Sequence, residues 1–295
     1  MAPQRPRRSS QLKIDIEGLP DGNSHVNVMC FDLVYFTRPA QFIILSCALF
    51  FFYLLYGYFQ ELIFTLPGFR GYGWYLTLIQ FFYYSIFGRL EMMLRRETRK
   101  VPLKTYALLA ITTVATMGFS NASLEYLNYP TQVIFKSCKL IPVLIGGIFI
   151  QGKRPRVLDF VAAGFMCLGL IIFTLADSQV SPVFEVTGVV MISLALLADA
   201  IIGNVQEKTM RQFNASNSEV VLYSYSIGFV YLFFLVAVFT DIASAIHYCS
   251  YYPKQTYGYA FIFSLTGYLG IQIVLGLVRQ FGAFLAVTVT TFRCY

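Results

Sequence analysis

Long runs of apolar residues recur along the chain, and short polar segments separate them. A helix that crosses a bilayer needs about 20 predominantly apolar residues, and the runs have about this length. They lack the strict alternation of apolar and polar positions that a membrane barrel requires. The pattern therefore predicts an all-α polytopic membrane protein with eight full spans and a partial ninth that begins near Phe281. The predicted spans cover residues 41–60, 74–90, 105–123, 131–150, 158–176, 187–204, 218–240 and 257–277.

Composition agrees with a membrane protein. Hydrophobic residues make up 57% of the chain and charged residues only 13%, whereas a soluble domain carries about a quarter charged residues. The net charge of +7 would suggest nucleic-acid binding in a soluble protein. Here the basic residues lie in short segments between apolar runs, where they report orientation instead. We therefore expect the lipid bilayer as a partner and no nucleic acid.

The basic residues are distributed unevenly across the predicted membrane. If successive spans alternate in direction, the side of the N-terminus carries seventeen Lys and Arg residues and the opposite side two. Three more fall inside spans, which accounts for all 22. Cytosolic loops are enriched in Lys and Arg. The pattern predicts that residues 1–40 form a disordered cytosolic tail and that residues 41–295 form the transmembrane domain.

Little in the sequence points to metal or covalent chemistry. His25 and His247 have no ligand-spaced neighbours, and the six cysteines form no CxxC pair. No Ser/His/Asp constellation and no Gly-rich phosphate loop is present. We therefore expect no metal, no cofactor and no catalytic residues, and we rank an integral-membrane enzyme last among the candidate functions.

Three basic residues fall inside apolar segments: Lys136, Lys139 and Arg293. Gln132, Lys136 and Lys139 follow the spacing i, i+4, i+7, which places them on one face of a helix. A Lys at the centre of a membrane helix costs about 2.5–3.5 kcal/mol on insertion scales. The lysines are expected either to pair with carboxylates, for which Asp199 and Glu125 are the candidates, or to line a cavity that receives an anion. The shortage of acidic residues within the spans favours the cavity.

Further polar positions are candidates for contact with a nucleobase. Asn204 ends the sixth predicted span, and Tyr223 lies near the start of the seventh. Tyrosines near span ends are also typical of the interfacial aromatic belt, so both interpretations stay open. The segments TQVIFK and TVTTFR each place a cation five residues after a Thr. In an inverted-repeat transporter the helices that contain them would correspond, which makes Arg293 a third candidate for anion binding.

Several segments resemble the nucleotide-sugar transporter family: YGYFQELIF, YLNYPTQVIFKSCKLIPVLIGGIFIQGKR, GVVMISLALLADAIIGNVQEK and YGYAFIFSLTGYLGI. The likeness extends from about Ala40 to Thr291. It implies a fold of the drug/metabolite transporter type, with ten helices in an inverted five-plus-five repeat and both termini in the cytosol. It also implies antiport across the Golgi membrane in exchange for a nucleoside monophosphate such as AMP. The likeness is specific to members that carry 3′-phosphoadenosine 5′-phosphosulfate (PAPS), the sulfate donor.

The resemblance also implies which residues hold the substrate. The family's paired lysines of helix four match Lys136 and Lys139, and its basic pair in helix nine matches only at Arg293, because Cys294 replaces the second cation. With helix nine incomplete and helix ten missing, we expect this chain to transport little. The alternatives are the same fold carrying ATP/ADP or a UDP-sugar, and a non-transporting variant. Whether the chain forms a homo-oligomer is left open.

Overall fold

The structure, a computed structural model, describes residues 27–28, 31–32, 37–152, 157–180, 185–239, 242–251 and 253–292. Helices dominate these residues, and the predicted all-α class is confirmed. In chain order they are α1 (Arg38–Phe64), α2 (Gly73–Arg95), α3 (Leu103–Ala122), α4 (Tyr129–Ser137), α5 (Leu140–Gln151), α6 (Val157–Val180), α7 (Val186–Phe213), α8 (Asn217–Phe239), α9 (Ile242–Tyr251), α10 (Pro253–Phe281) and α11 (Ala283–Phe292). Within the predicted tail, β1 (Asn27–Val28) and β2 (Phe31–Asp32) form a short antiparallel pair.

Six segments of the described chain are long and apolar enough to cross a membrane. They are α1, α3 with the turn that follows it, α4 together with α5, α7, α8 and α10. The polytopic character predicted from the sequence is therefore confirmed. α2 is not among the six because Gln80, Arg89 and Glu91 lower its mean hydropathy, and the apolar part of α6 is a shorter stretch, Phe160–Phe173. The count of eight full spans stays a prediction.

Two helices differ from the sequence-based segmentation. The predicted fourth span, 131–150, is broken into α4 and α5, with Cys138 and Lys139 between them. Pro142 has no N–H group, so it cannot donate to the carbonyl four residues earlier in an α-helix. That carbonyl, of Cys138, accepts from the backbone N–H of Ile141 instead, at 3.2 Å. The second difference is α9, which occupies a segment placed in a loop.

Glycines allow the central helices to approach closely. α2 packs mainly against α8, α1 packs against α10, and α3 lies against α7 and α8. A Cβ atom at Gly88 in α2 would lie 3.1 Å from the Cα of Leu222 in α8, and one at Gly228 would lie 2.5 Å from the ring of Phe81. Small residues at such crossings are how membrane helices achieve close packing. α6 contacts α4 and α5 and is otherwise largely exposed where its side chains are described.

Two buried carboxylates bind backbone N–H groups just ahead of or at the start of a helix. In α7, Glu207 accepts from the backbone N–H of Ala283, the first residue of α11, at 2.8 Å. Glu207 also pairs with Arg211 at 3.2 Å. At the start of α8, Glu219 accepts from the backbone N–H groups of residues 100 and 101, at 2.7 and 3.0 Å. A carboxylate near a helix N-terminus is favourable because the partial charge there is positive.

Candidate functional site

A cavity of about 230 Å³ lies at the centre of the helices, next to the break between α4 and α5. Residues from α1, α2, α3, α4, α7, α8, α10 and α11 line it, together with Lys139 from the break itself. The lining is mixed, with hydroxyl, amide and charged side chains among rings and aliphatic groups. A concave, largely apolar pocket with a few converging polar groups is the usual form of a small-molecule site.

Two lysines form what we call the cationic wall of this cavity, Lys136 and Lys139. The Nζ of Lys136 donates to the Oε1 of Gln132 at 3.0 Å. Gln132 is fully buried, and its Nε2 donates to the Oγ of Ser123 at 3.2 Å and to the backbone carbonyl of Ser120. Gln132 therefore fixes the position of Lys136 relative to α3 without itself lining the cavity.

Lys139 has a different partner, a carboxylate. Its Nζ lies 3.6 Å from the Oδ2 of Asp199 in α7, and both residues line the cavity. The side chains are 20% and 32% exposed respectively, so this pair is neither sealed in the interior nor fully in solvent. Of the two carboxylates that the sequence suggested as partners, Asp199 pairs with Lys139. Glu125 is exposed and does not line the cavity.

Four tyrosines form what we call the aromatic wall: Tyr53, Tyr56, Tyr84 and Tyr225. The ring of Tyr84 is fully buried and meets that of Tyr225 edge to face, with centroids 4.8 Å apart. Gln80 donates its Nε2 to the hydroxyl of Tyr84 at 2.8 Å. Tyr56 stacks on Phe263 with a centroid distance of 4.3 Å. Hydrogen bonds and ring contacts thus hold the aromatic wall in a defined shape.

Gly267 in α10 sets how closely the aromatic wall approaches that helix. A Cβ atom at this position would lie 2.1 Å from the hydroxyl oxygen of Tyr84 and 2.8 Å from the ring of Tyr56. Real Cβ atoms essentially never come this close to another heavy atom. Any larger residue at position 267 must therefore displace one or both rings.

The other predicted site residues lie elsewhere. Tyr223 stacks on Tyr106 at 5.1 Å, below the guanidinium of Arg99, and it does not line the cavity. Asn204 is buried and donates to the backbone carbonyls of Val143 and Ala200, so it joins α7 to α5.

Arg293 lies outside the described residues. Helix α11 nevertheless reaches the cavity, where Thr290 is one of the lining residues. In the sequence, Arg293 stands three residues after Thr290.

Sequence reasoning selected none of the four tyrosines of the aromatic wall as a site residue and chose Tyr223 on α8 instead. Tyr223 and Tyr225 are two residues apart on α8, so they point to nearly opposite faces of the helix. Only the contacts of α8 reveal which of these faces meets the cavity. Gln132, in contrast, carried a usable signal in its spacing to Lys136. Across the described residues, no group of three His, Cys, Asp or Glu side chains converges to hold a metal ion.

Comparison with known proteins relates the chain to membrane transporters. A model of the UAA transporter family matches residues 41–295. The chain is 61% identical over 270 residues to adenosine 3′-phospho 5′-phosphosulfate transporter 2 of Anopheles gambiae. The aligned residues cover 91% of the chain and 72% of that protein. The proteins of the same name from Mus musculus and Homo sapiens are 57% and 56% identical over 289 residues, covering 98% of the chain and 77% and 71% of those relatives.

Proposed function

The chain belongs to the UAA transporter family, and on that premise we propose that it moves PAPS across a membrane through the central cavity. The observation that carries the proposal is the presence of Lys136 and Lys139 on the same cavity as the four tyrosines of the aromatic wall. Relatives at 56–61% identity are named as PAPS transporters. The resemblance noted in the sequence is confirmed by these relatives.

The two walls match the two chemical parts of PAPS. A phosphate group carries about −1.5 to −2 charges at neutral pH and several acceptor oxygens, which suits neighbouring ammonium groups. An adenine ring offers a flat π-face that stacks on aromatic side chains. In this assignment Lys136 and Lys139 bind the phosphate and phosphosulfate groups. Tyr56, Tyr84 and Tyr225 enclose the space for the adenine base. Arg293 supplies a third cation.

The proposed transport cycle is an exchange. PAPS moves from the cytosol into the Golgi lumen, where it serves sulfation, and a nucleoside monophosphate such as AMP returns. When the cavity holds no anion, the positive charges of its lysines lie in a poorly solvating environment. Reorientation of the empty carrier is therefore costly. An anion in the cavity reduces that cost, so both directions proceed best with a nucleotide bound.

The fold that supports this cycle is the inverted five-plus-five repeat, with helices four and nine in corresponding positions. Two observations favour it. The α4–α5 segment is discontinuous beside the binding cavity, as substrate-binding helices of such transporters often are. Helix α11 packs against both α4 and α5, so the presumed counterparts meet at the cavity.

Uptake by proteoliposomes tests the substrate and the exchange together. Labelled PAPS is offered outside vesicles that contain the protein, with and without AMP inside, and unlabelled PAPS, ATP or UDP-sugars serve as competitors. We expect saturable PAPS uptake that internal AMP stimulates strongly, with unlabelled PAPS the best competitor, whereas absence of uptake would favour the non-transporting variant that the sequence left as an alternative. Stronger competition by ATP or a UDP-sugar would mean that this nucleotide, and not PAPS, is the substrate. Equal uptake with and without internal AMP would mean that the protein is a uniporter and not an exchanger.

The proposed orientation places the N-terminus in the cytosol of a multi-pass Golgi protein. Glycan acceptor sites inserted singly provide the test. An acceptor inserted at residues 179–181 should be modified, because the uneven distribution of basic residues places this segment on the luminal side. An acceptor inserted at position 98 should stay unmodified. Modification at position 98 would reverse the orientation.

A further inference from the structure

Asp199 lies where a substrate anion would meet Lys139, and we infer that it acts as an internal counter-anion that the substrate must displace. The role presupposes the proposed function, because it takes the substrate to be an anion bound by the cationic wall. Asp199 then lowers substrate affinity and lets the empty carrier change its orientation. These two effects go beyond the assignment of Lys139 to substrate binding.

The geometry of the pair suits a partner that can leave. A hydrogen bond between an ammonium and a carboxylate is usually about 2.7–2.9 Å long. The 3.6 Å between Lys139 Nζ and Asp199 Oδ2 is longer, and both side chains are partly exposed at the cavity. The two charges therefore compensate each other without a short hydrogen bond that would have to be broken.

Other carboxylates among the described helices, two of them buried and Glu91 partly buried, have structural partners instead. Glu207 and Glu219 accept hydrogen bonds from backbone N–H groups. Glu91 accepts from Gln272 Nε2 at 2.6 Å and from the hydroxyl of Tyr268, which joins α2 to α10. Among the described residues that line the cavity, Asp199 is the carboxylate. Its charge therefore faces the space that a substrate anion would enter.

A bound phosphate and Asp199 compete for the same ammonium group. A phosphate oxygen within hydrogen-bond distance of Lys139 would lie a few ångströms from the carboxylate, where two negative charges repel strongly in a partly desolvated site. Substrate binding thus turns Asp199 away from Lys139. When the substrate leaves, Asp199 returns and reduces the cost of an ammonium group within the membrane.

Lys136 provides the matched comparison. It donates to the neutral side-chain amide of Gln132, a contact that positions the ammonium without neutralising it. Removing the charge of Asp199 should therefore interact energetically with a change at Lys139 and should be additive with the same change at Lys136. Double-mutant cycles measure this difference directly.

The primary experiment is equilibrium binding of labelled PAPS to the purified protein, with Asp199→Asn, Lys139→Ala, Lys136→Ala and the two double variants. Asp199→Asn should tighten PAPS binding by about fivefold, the upper end for a partly exposed ion pair. In the Lys139→Ala background the gain should be smaller, because the ammonium group for which Asp199 and the phosphate compete is absent and only their direct repulsion is relieved. In the Lys136→Ala background the gain should equal that in the wild type.

Two controls separate this role from a structural one. Asp199→Glu should keep wild-type affinity, and Glu125→Gln, which removes an exposed acid outside the cavity, should not change it. If Asp199 only supported the fold, Asp199→Asn would lower thermal stability and leave the affinity of the folded protein unchanged. In proteoliposomes, Asp199→Asn should lower uptake into empty vesicles more than uptake into vesicles loaded with AMP.

The outcomes distinguish failure of this role from failure of the proposed function. If the wild type binds PAPS and depends on Lys139, but Asp199→Asn binds equally or more weakly, the counter-anion is overturned and the substrate stands. Equal coupling energies between Asp199 and each of the two lysines would also overturn it. If neither lysine affects PAPS binding, or the wild type does not bind PAPS, the proposed function falls and the counter-anion falls with it.

Discussion

The cationic wall and the aromatic wall line one cavity but are built in different ways. Lys136 and Lys139 each contact a polar side chain, an amide in one case and a carboxylate in the other. Tyr56 and Tyr84 are held by ring packing and by the close approach of Gly267. Polar partners can be exchanged for a ligand, whereas packed rings cannot move without disturbing the helices. The first wall therefore responds to charge and the second defines shape.

The difference separates two kinds of mutational effect. Charge acts over several ångströms and is weakly screened inside a membrane protein, so loss of a cation should affect every anionic ligand. Ring contacts act only at van der Waals distance, so a displaced ring should affect ligands according to their shape. The four predictions that follow probe the two walls, from the largest expected effect on PAPS transport to the smallest.

Lys136→Ala and Lys139→Ala should each raise the KM for PAPS about tenfold or more, since a hydrogen bond to a charged group contributes about 1.5–3 kcal/mol. Lys→Arg at either position should be tolerated only in part, because a planar guanidinium does not replace a compact ammonium. The measurement is PAPS uptake corrected for the amount of protein in the membrane. Lys254→Ala, an exposed lysine in α10, is the control. Normal uptake by both alanine variants would remove the cationic wall from the binding site.

Gly267→Ala should raise the KM for PAPS about five- to tenfold and also destabilise the protein, since overpacking costs about 1–3 kcal/mol. The added methyl group displaces Tyr84 or Tyr56. Gly270→Ala is the matched control, because a Cβ atom there would make ordinary contact with Tyr53 at 3.4 Å. Uptake kinetics and thermal unfolding of both variants provide the comparison. Equal behaviour of the two variants would mean that the aromatic wall is not held by Gly267.

Tyr225→Leu should raise the KM for PAPS about fivefold, the lower end for loss of one base–aromatic stack. Tyr223→Leu should leave the KM unchanged, because this ring stacks on Tyr106 outside the cavity. The pair compares residues on nearly opposite faces of the same helix. A larger effect at Tyr223 would return the base-binding role to the residue that the sequence suggested.

Gln132→Leu should raise the KM for PAPS about threefold, because Lys136 loses a hydrogen bond that positions it. Asn204→Ala should leave the KM unchanged and lower thermal stability, since its amide joins α7 to α5. Uptake kinetics and unfolding temperature, measured on both variants, distinguish positioning from structural support. A KM effect at Asn204 without loss of stability would place that residue in the binding site.

Sequence patterns revealed the cationic wall because charge inside an apolar run is costly and rare. The same patterns concealed the aromatic wall, since 21 Tyr and 29 Phe residues offer many equivalent candidates. Tyr223 was chosen over Tyr225 because the sequence does not show which face of α8 meets the cavity. That face depends on tertiary packing. The break at Lys139 was foreseeable from Pro142, whose missing N–H group interrupts the helix four residues after Cys138.

The carboxylate of Glu207 has a consequence for the order in which the protein is assembled. Its partner in α11, the N–H group of Ala283, lies 76 residues later in the chain and does not yet exist when α7 is synthesised. Arg211, one helical turn away, is present from the start and pairs with the carboxylate before α11 is made. Docking of α11 then adds a backbone donor to a carboxylate that is already in place. The late helix is thus positioned by a group that the early helix already presents.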